Sequence, residues 1–351
     1  MSAACAAPGC QAQAYAWHLR VRLEEANLRL DRVLQRRLQL SRRQVAALCA
    51  AGVHRCPTAS PLPPHARLRA GEWLHFKAQL VTTAAPMPEP ALPLDLRYED
   101  AHLLVVAKPA GMPSHALDAG QTGTLAAALI AFDARLAAVA PRPCDAGLVH
   151  RLDVGTSGLL LVARSAAVHA QLGVQTRAGA ITKGYTALVH GLVRAPQMLH
   201  YALAARRRQA AVGVLASADP AAPGPALKLG RRSAAGPLTC RRPRDLRRPV
   251  PATTAVVAAQ PLAAHTLLQL RIVRGYRHQI RAHLSALGCP IVGDLLYGGQ
   301  ATPVLDGHFL HAHTLRLMHP VTGQPLSFCC DLPADRQALL EGLRRPVRHF
   351  R

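Results

Sequence analysis

The sequence predicts an α+β protein in which a small N-terminal unit precedes a larger one. Short apolar segments of strand type are mixed with segments of helical periodicity, without the regular alternation that a doubly wound sheet would require. The stretch PMPEPALP at residues 86–93 alternates with proline, so it is neither a helix nor a central strand and marks a linker. We therefore expect a flexible N-terminus at 1–23, a small domain at 24–85, a linker at 86–94 and the main domain at 95–345.

The small domain should begin with two short helices, because its apolar residues recur at helical spacing. These apolar positions are Leu30, Val33, Leu34 and Leu38 in the first helix and Val45, Leu48 and Cys49 in the second. Ser41 stands where an N-cap would be and Gly52 where a helix would stop. The polar faces carry Arg29, Arg32, Arg36, Arg37, Arg42 and Arg43, with only Asp31 against them. This imbalance favours phosphate contact over a merely solvated face, with Arg29, Arg42 and Arg43 as candidate RNA-binding residues.

The elements of the main domain follow from local patterns. Strands are predicted at 103–108, 158–163, 181–190 and 266–273. Helices are predicted from the cap Thr124 to about Val139, from Ser165 to Ala178, and from His278 to Leu287, where Gly288 stops the helix. Between about 205 and 251 the pattern disappears, and arginines are interleaved with Pro, Gly and Ala. We expect a disordered insertion there, either contacting RNA non-specifically or reflecting drift in a tolerant loop.

Charge and composition limit the class of partner. The formal net charge is +23 over 351 residues, half of which are hydrophobic. Such a field favours a polyanion, with RNA or DNA as the first choice and an acidic membrane surface as the second, although a genome rich in G and C explains part of the arginine excess. No apolar run is long enough to span a membrane, so no membrane is expected.

Cysteine usage points to a reducing compartment. The nine cysteines are scattered, odd in number and free of any C-x-x-C pair, which argues against a zinc site and against a disulfide framework. The pair His311-x-His313 is interpreted as packing, and no metal is expected. A cytoplasmic location follows, with an organellar one as the alternative because the first 23 residues contain Arg but no Asp or Glu.

Four segments place polar residues in apolar contexts. They are KPAG at Lys108, HRLD ending at Asp153, TKGY ending at Tyr185, and RGYRHQIRAH from Arg274 to His283. Arg281 and His278 lie one turn apart beside a predicted core face, and an arginine is costly to bury alone, so Arg281 should find a carboxylate. Taken singly, each of these residues has a structural explanation.

Taken together, the segments resemble the RluA-type pseudouridine synthase family over about residues 95 to 330. The stretches that carry the resemblance are YEDAHLLVVAKPAG, LVHRLDVGTSGLLLVARS, TKGYTALVHG, HQIRAHLSALGCPIVGDLLYGG and LHAHTLRLMHPVTG. The resemblance implies a mixed, largely antiparallel central sheet flanked by helices, and isomerisation of uridine within RNA without cofactor or metal. The small domain is similar to the α/β RNA-binding domain, named for a ribosomal protein, that precedes many such enzymes. It departs in having His54-Arg55-Cys56-Pro57 where Asn-Gly is usual.

The resemblance also implies roles for individual residues. Asp153 matches the catalytic carboxylate, Arg281 the arginine that keeps it ionised, and Tyr185 the tyrosine that stacks on the target base and is a candidate for removing its final proton. His150 and Arg151 flank Asp153, and Arg151 would stand near the place that a flipped uridine vacates. Lys183, His278 and Gln279 are candidate pocket or phosphate contacts. Gly275-Tyr276-Arg277 replaces the usual Gly-Arg-Thr, and Val154-Gly155 replaces a more usual charged pair.

Three functions from different classes remain open at this point. The first is an active, monomeric pseudouridine synthase acting on structured RNA, with large-subunit rRNA favoured and tRNA as the alternative. The second is a non-catalytic RNA-binding or ribosome-assembly factor on the same fold, against which the intact Asp153, Tyr185 and Arg281 argue. The third is a base-excising glycosidase that uses the same aspartate.

Overall fold

The structure is a computed structural model that describes residues 17–38, 42–56, 61–76, 85–116, 121–205, 212–215 and 250–344. The chain divides into two compact units. One comprises residues 1–85 with 142–144, and the other comprises residues 86–141 with 145–351. The two units are described separately.

The N-terminal unit combines a three-stranded antiparallel sheet with two helices. Its elements are β1 (Trp17–Arg20), α1 (Leu30–Leu38), α2 (Arg42–Gly52), β2 (Val53–Arg55) and β3 (Trp73–Phe76), with a short 3-10 helix at Leu23–Glu25. The strand order is β1-β3-β2. The two predicted helices are confirmed, and six of the seven predicted apolar positions are buried, while Leu38 is partly buried. Helix α2 ends at Gly52, whose φ of 103° suits glycine, and Ser41 lies outside the described residues.

Two expectations for this unit are wrong in detail. Strand β1 lies inside the segment expected to be flexible, because Leu19 and Val21 bury their side chains in the core of the unit. The positive charge of the arginine face is also better compensated than expected from Asp31 alone. Arg37 pairs with Glu25 at 3.1 Å, and Arg29 pairs with Asp31 at 2.7 Å.

The larger unit is built on one extended sheet. Its strands are β4 (Asp95–Glu99), β5 (Leu103–Lys108), β6 (Ser157–Ala163), β7 (Thr182–His190), β8 (Gln197–Ala205), β9 (Val212–Leu215), β10 (Val250–Leu262), β11 (His265–Ile272), β12 (Leu310–Met318) and β13 (Pro325–Cys329). Its helices are α3 (Leu125–Phe132), α4 (Ala166–Ala178), α5 (Gln279–Ala286) and α6 (Ala334–Arg344).

The sheet is mixed and largely antiparallel, which confirms the predicted α+β class. Its order is β4-β5-β6-β12-β7-β11-β10-β8-β9, with β13 paired to β12. Among the described strands, only β6 and β12 pair in parallel. All seven residues of β6 are buried, because the strand lies between two neighbours inside the sheet. Strands β6 and β7 both pair with β12, so the segments that carry Asp153 and Tyr185 approach the same part of the sheet.

Three boundaries in this unit differ from the sequence prediction. The helix expected to reach Val139 ends at Phe132, because Asp133 has an extended backbone and its carboxylate caps a 3-10 helix at Ala134–Ala138. Helix α5 begins at Gln279, since His278 has a φ of 55° and is the N-cap. Strand β9 pairs with β8 inside the span expected to be disordered, and β10 starts at Val250. The rest of that span lies outside the described residues.

None of the described helices combines the length and the apolar character needed to cross a bilayer. Cys49, Cys289, Cys329 and Cys330 are free thiols.

Candidate active site

A cavity of about 310 Å³ opens in the larger unit where the segment before β6, the start of β7 and the start of α5 meet. Three of the four polar segments noted in the sequence contribute to it. All eight candidate catalytic and substrate-binding residues line this cavity: His150, Arg151, Asp153, Lys183, Tyr185, His278, Gln279 and Arg281. Since these residues span 132 positions of the chain, the fold, and not local sequence, brings them together.

Asp153 forms an ion pair with Arg281 in this cavity. The Nη1 atom of Arg281 donates to Oδ2 of Asp153 at 2.9 Å, and Nε2 of His278 lies 3.8 Å from Oδ1. Burial acts to raise the pKa of Asp153, but it is outweighed by the charge that His278 carries once it is protonated, by the charge of Arg281 and by the hydrogen bond from Arg281, so the pKa is lowered. Burial lowers the pKa of His278 to about 4, so His278 is neutral at pH 7 and Arg281 remains the permanent charge beside Asp153.

Asp294 is a second carboxylate that binds Arg281, and it is not among the residues predicted from the sequence. It accepts from Nε at 2.7 Å and from Nη2 at 2.8 Å, and it is only 1% exposed. Burial acts to lower the pKa of Arg281, but the hydrogen bonds and charges of Asp294 and Asp153 raise it. The Tyr297 ring lies 5.0 Å from the guanidinium carbon. The stretch GDLLYGG within the family resemblance was the available signal for both residues.

The turn around Asp153 is held at each of four successive carbonyls. Ser114 Oγ donates to the Leu152 carbonyl, and the Thr156 amide donates to the Asp153 carbonyl. The Val154 carbonyl accepts from both the Gly111 amide and Lys108 Nζ, and the Gly155 carbonyl accepts from Arg336 Nη2. Lys108 also donates to the carbonyls of Pro109 and Met112 at 2.6 and 2.7 Å, which explains the polar residue at the end of β5. The backbone that presents the Asp153 carboxylate is therefore fixed from several distant elements.

Tyr185 lies on β7 and is 6% exposed. Burial and the nearby charge of Asp153 raise the pKa of its hydroxyl above the usual value. Tyr185 is therefore a neutral phenol at neutral pH, and it offers the cavity an aromatic face and a hydroxyl in place of a phenolate base.

Lys183 and His150 form a polar corner of the cavity. Lys183 is 4% exposed, and within the described part of the chain its ammonium makes no hydrogen bond. Burial lowers the pKa of Lys183 to about 8. His150 is half-buried, but its Nε2 atom is buried without a hydrogen-bond partner among the described residues, and burial together with Lys183 holds its pKa well below the usual range. The Lys183 ammonium faces the cavity without a protein acceptor among the described residues, so this corner is suited to an anionic or carbonyl-bearing ligand.

The remaining cavity candidates differ in how available they are. Arg151 is exposed, with Nη1 lying 3.2 Å from His115 Nε2. Gln279 is 2% exposed and its amide is occupied, since it donates to Thr253 O and Thr254 Oγ1 and accepts from Tyr276 N. The interpretation of Gln279 as a substrate contact therefore gives way to one in which it anchors the start of α5.

Other sequence candidates are not among the residues that line this cavity. Arg29 is in the N-terminal unit, paired with Asp31, and the side chains of Arg42 and Arg43 lie outside the described ones. His311 contacts Ser157 Oγ and the Cys330 carbonyl, each at 2.9 Å, which confirms its interpretation as a packing residue. Within the described ranges, no three His, Cys, Asp or Glu side chains are grouped so that they could hold a metal ion.

This chain is similar to known proteins over most of its length. A profile of the RNA pseudouridylate synthase family matches residues 102–286. The chain is 35% identical over 300 residues to the ribosomal large subunit pseudouridine synthase D of Xanthomonas campestris pv. campestris, covering 80% of this chain and 78% of that protein. It is 30% identical to the protein of the same name from Yersinia pestis, covering 82% of each. The solved structure of human RNA pseudouridylate synthase domain containing 4 has a similar fold, with a TM-score of 0.50 and 22% identity over 71% of this chain and 93% of that one.

Proposed function

Since this chain belongs to the RNA pseudouridylate synthase family, we propose that it isomerises uridine to pseudouridine within RNA, with Asp153 as the reacting carboxylate. The observation that carries this proposal is the cavity-lining ion pair in which Arg281 donates to Asp153 at 2.9 Å. The pair keeps the carboxylate ionised in a site whose burial would otherwise favour the protonated form.

The reaction needs one bond broken and one formed at the same sugar carbon. The bond from N1 of uracil to C1′ of the ribose breaks, the base turns, and a bond from C5 to C1′ forms. C5 loses its proton and N1 gains one, so no oxidant, reductant or co-substrate is consumed. The protein must therefore supply a group that assists departure of the base and a pocket that retains it while it turns.

An ionised carboxylate can assist this departure in two ways. It can attack C1′ as a nucleophile and leave again when C5 returns, or it can remove a proton from the sugar. Both routes need Asp153 ionised at neutral pH, which its lowered pKa provides. Both also need a fixed approach to the ribose, and the hydrogen bonds to the four successive carbonyls of the turn supply that rigidity.

The other cavity residues suit a uridine that has left the RNA stack. Tyr185 supplies an aromatic face for the base, and as a neutral phenol it can accept the C5 proton only if it passes its own proton on. Arg151 is exposed beside Asp153, where it suits the space vacated by the flipped nucleotide or its backbone. Lys183 supplies an ammonium without an internal acceptor, which suits a phosphate or a uracil carbonyl.

Large-subunit ribosomal RNA is the proposed substrate class. Its support is the printed name of the relatives from Xanthomonas campestris pv. campestris and Yersinia pestis, each matched over more than three quarters of its length. The net charge of +23 agrees with an RNA partner of any kind. A map of pseudouridines in RNA from cells with and without this gene would identify the substrate. Loss of a pseudouridine in tRNA alone would overturn the ribosomal assignment.

Release of tritium from RNA labelled at C5 of uracil tests the activity itself. Wild-type protein should release tritium from total RNA, and Asp153→Asn should release none above background, because the amide retains the shape but not the charge. Asp133→Asn is the matched control, since Asp133 pairs with Arg135 and Arg164 and does not line the cavity. RNA binding without tritium release by the wild type would favour the non-catalytic RNA-binding factor instead.

A further inference from the structure

Arg336 is a fully buried cation that the proposed chemistry does not use. It lies in the first turn of α6, near the end of the described chain, and is 0% exposed. Its guanidinium does not line the cavity. Burial lowers its pKa, opposed by Asp335, yet an arginine remains charged at neutral pH.

The charge of Arg336 is not matched by a buried carboxylate. Its only ion pair among the described residues is with Asp335, whose side chain is 30% exposed, and its Nε atom has no hydrogen-bond partner there. The other amino group, Nη2, donates to two backbone carbonyls, Gly155 O at 3.1 Å and His308 O at 3.0 Å. An apolar side chain of similar size would fill this space at a lower desolvation cost. The contacts of Arg336 therefore indicate a role other than packing.

Both carbonyls belong to segments that set the direction of Asp153. Gly155 is two residues beyond Asp153 in the turn, and His308 is joined to the next residue of that turn, since its Nε2 lies 2.7 Å from Thr156 Oγ1. The contact between the segments is close, because a Cβ atom on Gly155 would lie 3.0 Å from the His308 ring and one on Gly307 would lie 2.9 Å from Gly155 Cα. Arg336 thus bridges two backbones that touch and fixes their separation.

We propose that Arg336 is a positioning residue for Asp153: by binding Gly155 O and His308 O together, it fixes the turn that presents the carboxylate to the substrate. The proposal rests on the proposed function in taking Asp153 as the reacting group. Arg336 acts through geometry, since its charge is not among the main influences on the pKa of Asp153. An error of about 1 Å in such a carboxylate lowers turnover by about 100-fold.

Three full-length variants test this role. Arg336→Met keeps the length and removes the donors, Arg336→Lys keeps one cationic donor group, and Leu340→Ala removes a buried side chain of the same helix, one turn further along. We expect Arg336→Met to lose about 100-fold in kcat with KM for RNA within about twofold of wild type, and Arg336→Lys to recover part of the loss. Leu340→Ala should unfold at a lower temperature but keep wild-type kcat below it. The pH dependence of kcat should be the same in every variant.

Amide hydrogen exchange keeps the test independent of catalysis. The amides of Thr156 and Gly111 donate to Asp153 O and Val154 O, so they report on the turn directly. Arg336→Met should exchange at these two amides at least about tenfold faster than wild type, and Leu340→Ala should not. If the wild type converts no uridine, the proposed function fails while the exchange still reports on Arg336. Wild-type kcat and exchange in Arg336→Met would overturn the proposal, as would an equal loss of kcat in Leu340→Ala. If Arg336→Met does not fold, wild-type kcat and exchange in Arg336→Lys would overturn it.

Discussion

Replacing Lys183 with Met should make the protein more stable and a weaker binder of RNA. Burial lowers the pKa of Lys183 from 10.5 to about 8, and no acceptor among the described residues binds its ammonium. At about 1.4 kcal/mol for each pH unit between these values, the charged form costs the folded state up to about 3.5 kcal/mol at pH 7. Methionine fills a similar volume without that cost.

The dependence of this gain on pH follows from the two pKa values. Between pH 8 and 10.5 the unfolded chain holds more protons than the folded one, so the stability of the wild type rises with pH across this window. The advantage of Lys183→Met should therefore be greatest at pH 7, fall to about half by pH 9.5, and vanish above pH 10.5. Urea unfolding at pH 7 and 9.5 measures it.

Lys108→Met is the matched control because it should have the opposite effect. Burial lowers the pKa of Lys108 as well, to about 7, but its ammonium donates to three carbonyls. Its removal leaves buried acceptors without a donor, and we expect a loss of about 2 to 4 kcal/mol. A Lys183→Met protein that is less stable than wild type, or equally stabilised at both pH values, would refute the reasoning. The affinity of Lys183→Met for RNA should fall about 10-fold to 100-fold, as expected for the loss of a hydrogen bond to a charged group.

Three further predictions follow from the same geometry. Asp294→Asn should lower the free energy of unfolding by about 3 kcal/mol and kcat by about 100-fold, because it breaks the paired hydrogen bonds that hold Arg281. The control variant Asp133→Asn should keep wild-type kcat. Equal kcat in the two variants would contradict this prediction. The rate at saturating RNA should be constant from pH 5 to 7, because the pKa of Asp153 is lowered and that of His278 is about 4. KM for RNA should rise as pH passes 8, because Lys183 then loses its proton. A fall in rate between pH 7 and 5 would count against an ionised Asp153 as the sole requirement. Replacing residues 216–249 by a Gly-Ser linker removes eight Lys and Arg residues and should reduce the salt dependence of RNA binding, whereas an unchanged slope would assign the basic segment to drift.

Local patterns in the sequence predicted several of the elements in each unit. The apolar stripes of α1 and α2, six of the seven buried residues of β6, and the helix that ends at Ala178 depend on neighbours a few positions away, so local patterns are sufficient to find them. The helix boundary at Phe132 was missed because a residue of ordinary helical propensity, Asp133, adopts an extended backbone to cap the segment that follows. Such a choice depends on one hydrogen bond that composition does not reveal.

The groups that hold the site in place were harder to predict than the groups that line it. Asp294 and His308 lie in irregular segments between α5 and β12, and Arg336 looks in the sequence like a surface residue of an amphipathic helix. Their partners are distant in the sequence: Asp294 binds Arg281, 13 positions away, His308 contacts Thr156, 152 positions away, and Arg336 binds Gly155, 181 positions away. The rule that an arginine beside the core needs a carboxylate led to the expectation of a partner for Arg281, but it could not indicate that there would be two.

The four buried cations of the described chain differ in how far the protein compensates their charge. Lys108 has three carbonyl acceptors, Arg281 has two carboxylates, and Arg336 has two carbonyls and Asp335. Each of these three offsets part of its desolvation cost inside the protein and thereby fixes the backbone or the side chain on either side of Asp153. Lys183 has no such compensation, and it is the one whose side chain lines the cavity without a protein acceptor in the described structure. An acceptor that enters the cavity would offset this cost, so we expect part of the stability lost through Lys183 to be regained as affinity for RNA.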